Sequence, residues 1–76
     1  MPEDATEAQP TIRSLERGLA ILRMMQLADR PISHHEVVAG TGLAKATVSR
    51  LLFTLCATGH VRRLERGMYV LEDGSA

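Results

Sequence analysis

A short glycine-containing interruption between two helical patterns is the feature that most restricts how this chain can fold. Ser33 is followed three residues later by Glu36, the spacing of a capping box, which predicts a helix over about 34–40. The segment Gly40-Thr41-Gly42 breaks that helix, and a second helical pattern runs over about 44–58. Two helices joined by so short a turn predict a helix-turn-helix at about 34–53.

Further elements are predicted on both sides of this unit. Upstream, apolar residues at spacings of three and four predict a helix from Ser14, which can cap it, to about Ala28. A one-bridge strand is expected at Pro31-Ile32. Downstream, two strands at about 60–65 and 68–72, joined at Arg66-Gly67, predict a hairpin. This order predicts a mainly α fold with a small β-hairpin, a three-helix winged helix-turn-helix.

Length and composition bound the organisation of the chain. Its 76 residues hold one small domain at most, expected at 12–74 with the wing at about 60–72. Residues 1–11 are polar and aperiodic, which predicts a disordered N-terminal arm. A single cysteine allows no internal disulfide, no apolar stretch approaches the ~20 residues of a membrane span, and the acidic start differs from a signal peptide. These features favour a soluble cytoplasmic protein.

The first helical segment carries apolar residues on two sides. A helix of a small domain is rarely buried all round, so one side is expected to dock onto something outside this core. The first strip is Leu15, Leu19, Leu22 and Met25 or Gln26, and the second is Ala20, Ile21, Met24 and Leu27. We predict that the second strip is a dimer surface.

The third helical segment has two chemically different faces. At 100° per residue, an aliphatic face is formed by Val48, Leu51, Leu52 and Leu55. The opposite face holds Ala46, Arg50, Phe53 and Ala57, flanked by Thr47, Ser49 and Thr54. The aliphatic face is predicted to pack on the first two helices. The outer face is small near its N-terminus, which suits a DNA major groove about 12 Å wide.

The distribution of charge is compatible with a nucleic-acid partner although the formal net charge is zero. All nine lysines and arginines lie between Arg13 and Arg66, and only four acidic residues lie within 13–71. A polyanion responds to the local field and not to the sum over the chain. On charge alone, an ordinary solvated surface remains an equal alternative.

Several side chains have the chemistry to contact DNA. Arg50 can donate two hydrogen bonds to guanine or bind a phosphate, and Thr47 and Ser49 can donate to phosphates or base edges. Lys45 lies at a helix N-terminus, which favours phosphate. Strand alternation places Arg62 and Arg63 on opposite faces of the wing. The predicted DNA-binding residues are Lys45, Ala46, Thr47, Ser49, Arg50, the wing-tip Arg66 and His34.

Other chemistry has little support in the sequence. His34 and His35 are adjacent and diverge by about 100°, and no metal-ligand spacing is present. Cys56 lacks a partnered base and is expected in the core, and Phe53 is expected either in a partner contact or over the hairpin. The chain is therefore predicted to be no enzyme and to hold no metal or cofactor. The alternative function is a winged helix that binds protein and not DNA.

Four segments together resemble the N-terminal domain of the IclR family of bacterial transcriptional regulators. They are "SLERGLAIL" at 14–22, "TGLAKATVSRLLFTL" at 41–55, "GHV" at 59–61 and "YVL" at 69–71. The resemblance implies a recognition helix that reads the major groove of double-stranded DNA, with Lys45, Ala46, Thr47, Ser49 and Arg50 on its reading positions. We expect a homodimer or higher homo-oligomer of the full-length protein, most often a repressor in such families, on a pseudo-palindromic operator.

Two positions depart from the family pattern. Ala44 replaces a common proline, which predicts fraying at the start of the third helix, and Ala46 replaces a common serine, which removes a hydroxyl. Family members also continue into a C-terminal domain that binds a small-molecule effector. The resemblance implies that this effector-binding domain is absent from this chain, which is expected to be an excised domain or a natural fragment.

Overall fold

The computed structural model describes residues 10–72, which form three helices and three short strands. The helices are α1 (Arg13–Ala28), α2 (His34–Thr41) and α3 (Lys45–Ala57). The strands are β1 (Ile32–Ser33), β2 (Val61–Arg63) and β3 (Met68–Leu71), with a 3-10 turn at Glu65–Gly67. The predicted winged helix-turn-helix is confirmed. All but the last two residues of the predicted N-terminal arm lie outside the described residues.

The wing is the larger part of a three-stranded antiparallel sheet. Strand β3 is central, in the order β1-β3-β2. Ile32 pairs with Tyr69, and Val61 pairs with Leu71. The predicted bridge at Pro31-Ile32 is displaced to Ile32–Ser33, because Pro31 has no N–H to contribute to a ladder. Strand β1 therefore ties the wing to the start of α2.

Every helix and two of the strands contribute to one aliphatic core. None of its side chains is more than 2% exposed. Because these residues come from all parts of the fold, burial fixes α3 relative to α1, α2 and the sheet. The buried apolar residues are Ile21, Met25, Ile32, Val37, Val48, Leu52 and Val61.

The structure corrects two predictions for α1. Ile21 is fully buried and Met24 packs against the core, so the second strip is not free along its whole length, as the predicted dimer surface required. The exposed leucines of α1 come from both strips: Leu15 and Leu19 of the first, at 56% and 55%, and Leu27 of the second, at 77%. Both strips have helical spacing, so periodicity alone did not distinguish them. The helix also begins at Arg13 without a side-chain cap, so Ser14 lies in the first turn.

The predicted capping box at the start of α2 is confirmed and carries an ion pair. The Ser33 hydroxyl accepts from the Glu36 N–H at 3.1 Å, and the Glu36 carboxylate accepts from the Ser33 N–H at 2.9 Å. Arg30 donates to the same carboxylate at 2.7 Å. The Arg30 hydrogen bond first, and the Ser33 N–H second, lower the pKa of Glu36 from 4.5 to about 2.

This depressed pKa predicts a pH dependence of stability. The folded-state pKa of Glu36 is below its unfolded value, so its contribution is complete above about pH 4.5 and is lost as pH falls toward 2. Solvent exposure of the pair keeps the contribution small. NMR titration of the Glu36 side-chain carboxyl should show a midpoint near 2 that rises in Arg30→Ala. A wild-type midpoint at the ordinary value would contradict the pairing.

Candidate nucleic-acid interface

The turn between α2 and α3 sets the direction of the third helix. Gly42 ends α2 with φ 73° and donates its N–H to the Val38 carbonyl at 2.9 Å. The Thr41 hydroxyl donates to the Val37 carbonyl at 2.7 Å and accepts from the Leu43 N–H at 3.3 Å. The left-handed conformation suits glycine, which has no Cβ to clash. The backbone therefore reverses within a few residues and lays α3 across α2.

The inner face of α3 is the aliphatic face that the sequence predicted. Val48 and Leu52 are 0% and 1% exposed, and Leu51 and Leu55 are half-buried beside them. Cys56 is also half-buried and packs against the core, as expected. The helix is held from this side, so its opposite side is left available for contacts.

The outer face of α3 is exposed and carries only small side chains before Arg50. Ala46, Ser49 and Arg50 are exposed, and Thr47 is half-buried at the margin. Lys45 is exposed at the first position of the helix, next to N–H groups that no side chain caps. The fraying expected from Ala44 is not found, because its carbonyl accepts from the Val48 N–H at 3.0 Å and closes the first turn.

The structure brings two of the predicted site residues into direct contact. The Nε2 atom of His34, at the start of α2, lies 2.9 Å from the Ser49 hydroxyl on α3. This hydrogen bond connects the two helices of the motif at the edge of the outer face. His34 therefore orients the Ser49 hydroxyl, in addition to any contact that His34 itself makes with DNA.

The tip of the wing is a tight turn centred on Arg66 and Gly67. Their φ angles are 67° and 72°, and the Met68 N–H donates to the Glu65 carbonyl, which is the pattern of a type I′ hairpin turn. The strands are shorter than predicted, because the 3-10 turn takes up residues beyond β2. Arginine is unusual in this left-handed conformation, so backbone preference does not explain why an arginine occupies position 66.

The two adjacent arginines of β2 lie on opposite faces, as alternation predicted, and the structure now distinguishes them. Val61 is buried, so Arg63 shares the side that faces the helices. Arg62 lies on the other side and pairs with Glu72 at 3.4 Å. Arg63 was not among the predicted DNA-binding residues. The signal that could have found it is its two-residue spacing from an apolar Val61.

Comparison with known proteins identifies the family. The model of the IclR helix-turn-helix domain matches residues 14–65, which include both helices of the motif and the start of the wing. The chain belongs to the IclR family. A crystal structure of an IclR family transcriptional regulator from Brucella abortus is similar, with a TM-score of 0.76 and 37% identity. The match covers 84% of this chain and 25% of that one, so this IclR chain spans about a quarter of that regulator's length.

The family match agrees with the functional class expected from the sequence. It supports a DNA-binding regulator and not an enzyme. Within residues 10–72, no group of three potential ligands from His, Cys, Asp and Glu could hold a metal ion. None of the helices in that same range is long and apolar enough to span a membrane.

Because Arg66 has a left-handed backbone conformation in this IclR domain, one substitution there can distinguish an effect on stability from an effect on DNA binding. Arg66→Asn should raise the free energy of unfolding by roughly 0.5–1 kcal/mol, because asparagine tolerates the left-handed conformation better. The same variant should bind DNA more weakly, and the slope of log K against log salt should become shallower by about 0.9, the contribution of one phosphate contact. Urea denaturation and DNA titration over a salt series measure the two effects. A variant that is more stable yet binds with an unchanged salt slope would remove Arg66 from the interface.

Proposed function

We propose that this IclR domain binds double-stranded DNA with α3 in the major groove and the wing tip against the backbone or in the minor groove. One observation carries the proposal. The outer face of α3 is exposed and small up to Arg50, while Val48 and Leu52 on the other face are buried. A helix can enter a groove about 12 Å wide when its leading side chains are not bulky.

Each predicted residue has a proposed role. Lys45 and the uncapped N–H groups at the start of α3 favour a phosphate. Ala46 and the Thr47 methyl group fit thymine methyl groups, and the Arg50 guanidinium fits the two acceptors of guanine. The Ser49 hydroxyl, bonded to His34, presents its remaining hydrogen-bonding capacity to a base edge or phosphate. Arg66 at the wing tip contacts the backbone or the minor groove.

The proposed assembly is a homodimer on a pseudo-palindromic operator, because one small module buries too little surface for tight specific binding. Since Ile21 is buried, the contact between copies is assigned to an exposed apolar line at the start of α1. This line comprises Ile12, which precedes the helix, together with Leu15 and Leu19. We further propose that residues 12–74 form the DNA-binding module of a cytoplasmic repressor whose effector binds to a separate C-terminal domain.

Selection from a random duplex library, followed by titration over a salt series, tests the proposal. We expect two related half-sites whose centres lie about 10 base pairs, or a multiple of that, apart. Affinity should fall steeply with salt, since each neutralised phosphate adds about −0.9 to the slope of log K against log salt. Weak, salt-insensitive retention without a consensus would instead favour the alternative, a winged helix that binds another protein.

A further inference from the structure

A cleft between α3 and the wing lies next to the proposed base-reading residues. It has a volume of about 390 Å³ and opens to solvent. One wall belongs to α3 and the other to β2 and β3. The lining residues are Ser49, Phe53, Cys56, Arg63 and Tyr69. The cleft is therefore lined both by Ser49, a predicted DNA-binding residue, and by Arg63, to which no role has been assigned.

Arg63 is the cation of this cleft. It is exposed and lies opposite Tyr69 in the β2–β3 ladder. Among residues 10–72, no carboxylate lies within 4.0 Å of its guanidinium, whereas the adjacent Arg62 is paired with Glu72. An arginine without a protein carboxylate retains its full capacity to bind an oxyanion in two-hydrogen-bond geometry.

Phe53 supplies an apolar wall to the same cleft. Its side chain is 74% exposed, although it is the only phenylalanine of the chain and could have contributed to the core. It follows Ser49 by four residues, one turn or about 6 Å farther along α3. Because recognition helices contact base edges with their N-terminal residues, we place this later turn nearer the groove edge, where the sugar-phosphate backbone runs.

We propose that this cleft binds one backbone phosphodiester of the DNA together with its deoxyribose. The Arg63 guanidinium donates to the phosphate oxygens, and the Phe53 ring contacts the sugar. The inference rests on the proposed function, because it requires α3 to lie in the major groove. An apolar ring beside the cation favours a sugar-linked phosphate over a free inorganic anion, which has no apolar part.

A phosphate contact carries no base information, which gives the proposal a distinctive consequence. Loss of Arg63 should weaken binding to all sequences alike and reduce the salt slope by about 0.9. Loss of Phe53 should weaken binding with an unchanged salt slope, because the ring carries no charge.

The test compares Arg63→Ala with Arg62→Ala, two substitutions that remove the same charge from adjacent positions on opposite faces. Fluorescence anisotropy with the selected duplex should show about tenfold weaker binding for Arg63→Ala at low salt, a smaller salt slope and unchanged base preference. Arg62→Ala should stay within about twofold of the wild type. Equal effects of the two variants, or altered base preference in Arg63→Ala, would overturn the inference.

Two further measurements separate the possible failures. If the wild type selects DNA and Arg50→Ala weakens binding while Arg63→Ala does not, only the cleft assignment fails. If the wild type selects no DNA, the proposed function itself fails. Inorganic phosphate at matched ionic strength should displace the duplex no better than chloride. Selective competition by phosphate would mean that the cleft binds a free anion, and would overturn the assignment to the DNA backbone.

Discussion

Leu52→Ala is expected to lower the free energy of unfolding by about 3 kcal/mol, because it leaves a cavity at a core position. Leu52 is 1% exposed and belongs to the buried cluster. A domain of this size has roughly 4–11 kcal/mol of stability in total, so the loss should be a large fraction of it. The neighbouring Phe53 is 74% exposed, and Phe53→Ala should change stability by less than about 0.5 kcal/mol.

Urea denaturation followed by far-UV circular dichroism measures both variants under the same conditions. The two residues are adjacent in α3 but diverge by about 100°, one into the core and one into solvent, so the pair tests which face anchors the helix. The midpoint should fall strongly for Leu52→Ala and stay close to the wild type for Phe53→Ala. Similar midpoints for the two variants, or a larger fall for Phe53→Ala, would mean that the faces of α3 are assigned wrongly.

Arg50→Ala is expected to weaken binding to the selected operator by about 1–3 kcal/mol if the guanidinium reads a base. This corresponds to about a 5- to 150-fold change in the dissociation constant. Discrimination should be lost at one base pair and kept at the others, because a paired contact to guanine is local. Arg50 is exposed on α3, so the fold itself should be unaffected.

Arg23→Ala is the matched control, because it removes the same charge from an exposed position on α1. Titration of both variants against the operator and its single-base-pair variants measures affinity and specificity together. A weaker Arg50→Ala complex that keeps full discrimination would assign Arg50 to a phosphate. Equal binding by wild type, Arg50→Ala and Arg23→Ala would remove Arg50 from the interface.

Local signals in the sequence predicted the elements that position the site. The capping box at Ser33 and Glu36 depends on a three-residue spacing, and the turn at Gly42 depends on a left-handed backbone, so both are visible in single segments. The two faces of α3 were also predictable, because aliphatic and polar residues separate cleanly at helical spacing.

Contacts between distant segments could not be predicted in this way. The hydrogen bond between His34 and Ser49 joins residues 15 positions apart, and only the packed turn brings them together. In α1 both apolar strips had helical spacing, and the burial of Ile21 depends on the other helices. Alternation predicted that Arg62 and Arg63 diverge, but the cleft between Arg63 and α3 forms only when β2 packs beside that helix.

The most direct test of the central claim is NMR mapping of the domain during titration with the selected duplex. The aliphatic face of α3 anchors the helix, and we propose that the opposite face contacts DNA. We predict that the largest chemical-shift changes occur at Ala46, Ser49, Arg50 and Arg66, with little change at Arg23 and Gln26, which are exposed on α1. Unchanged signals along the outer face of α3, with DNA-induced shifts concentrated elsewhere, would contradict the account.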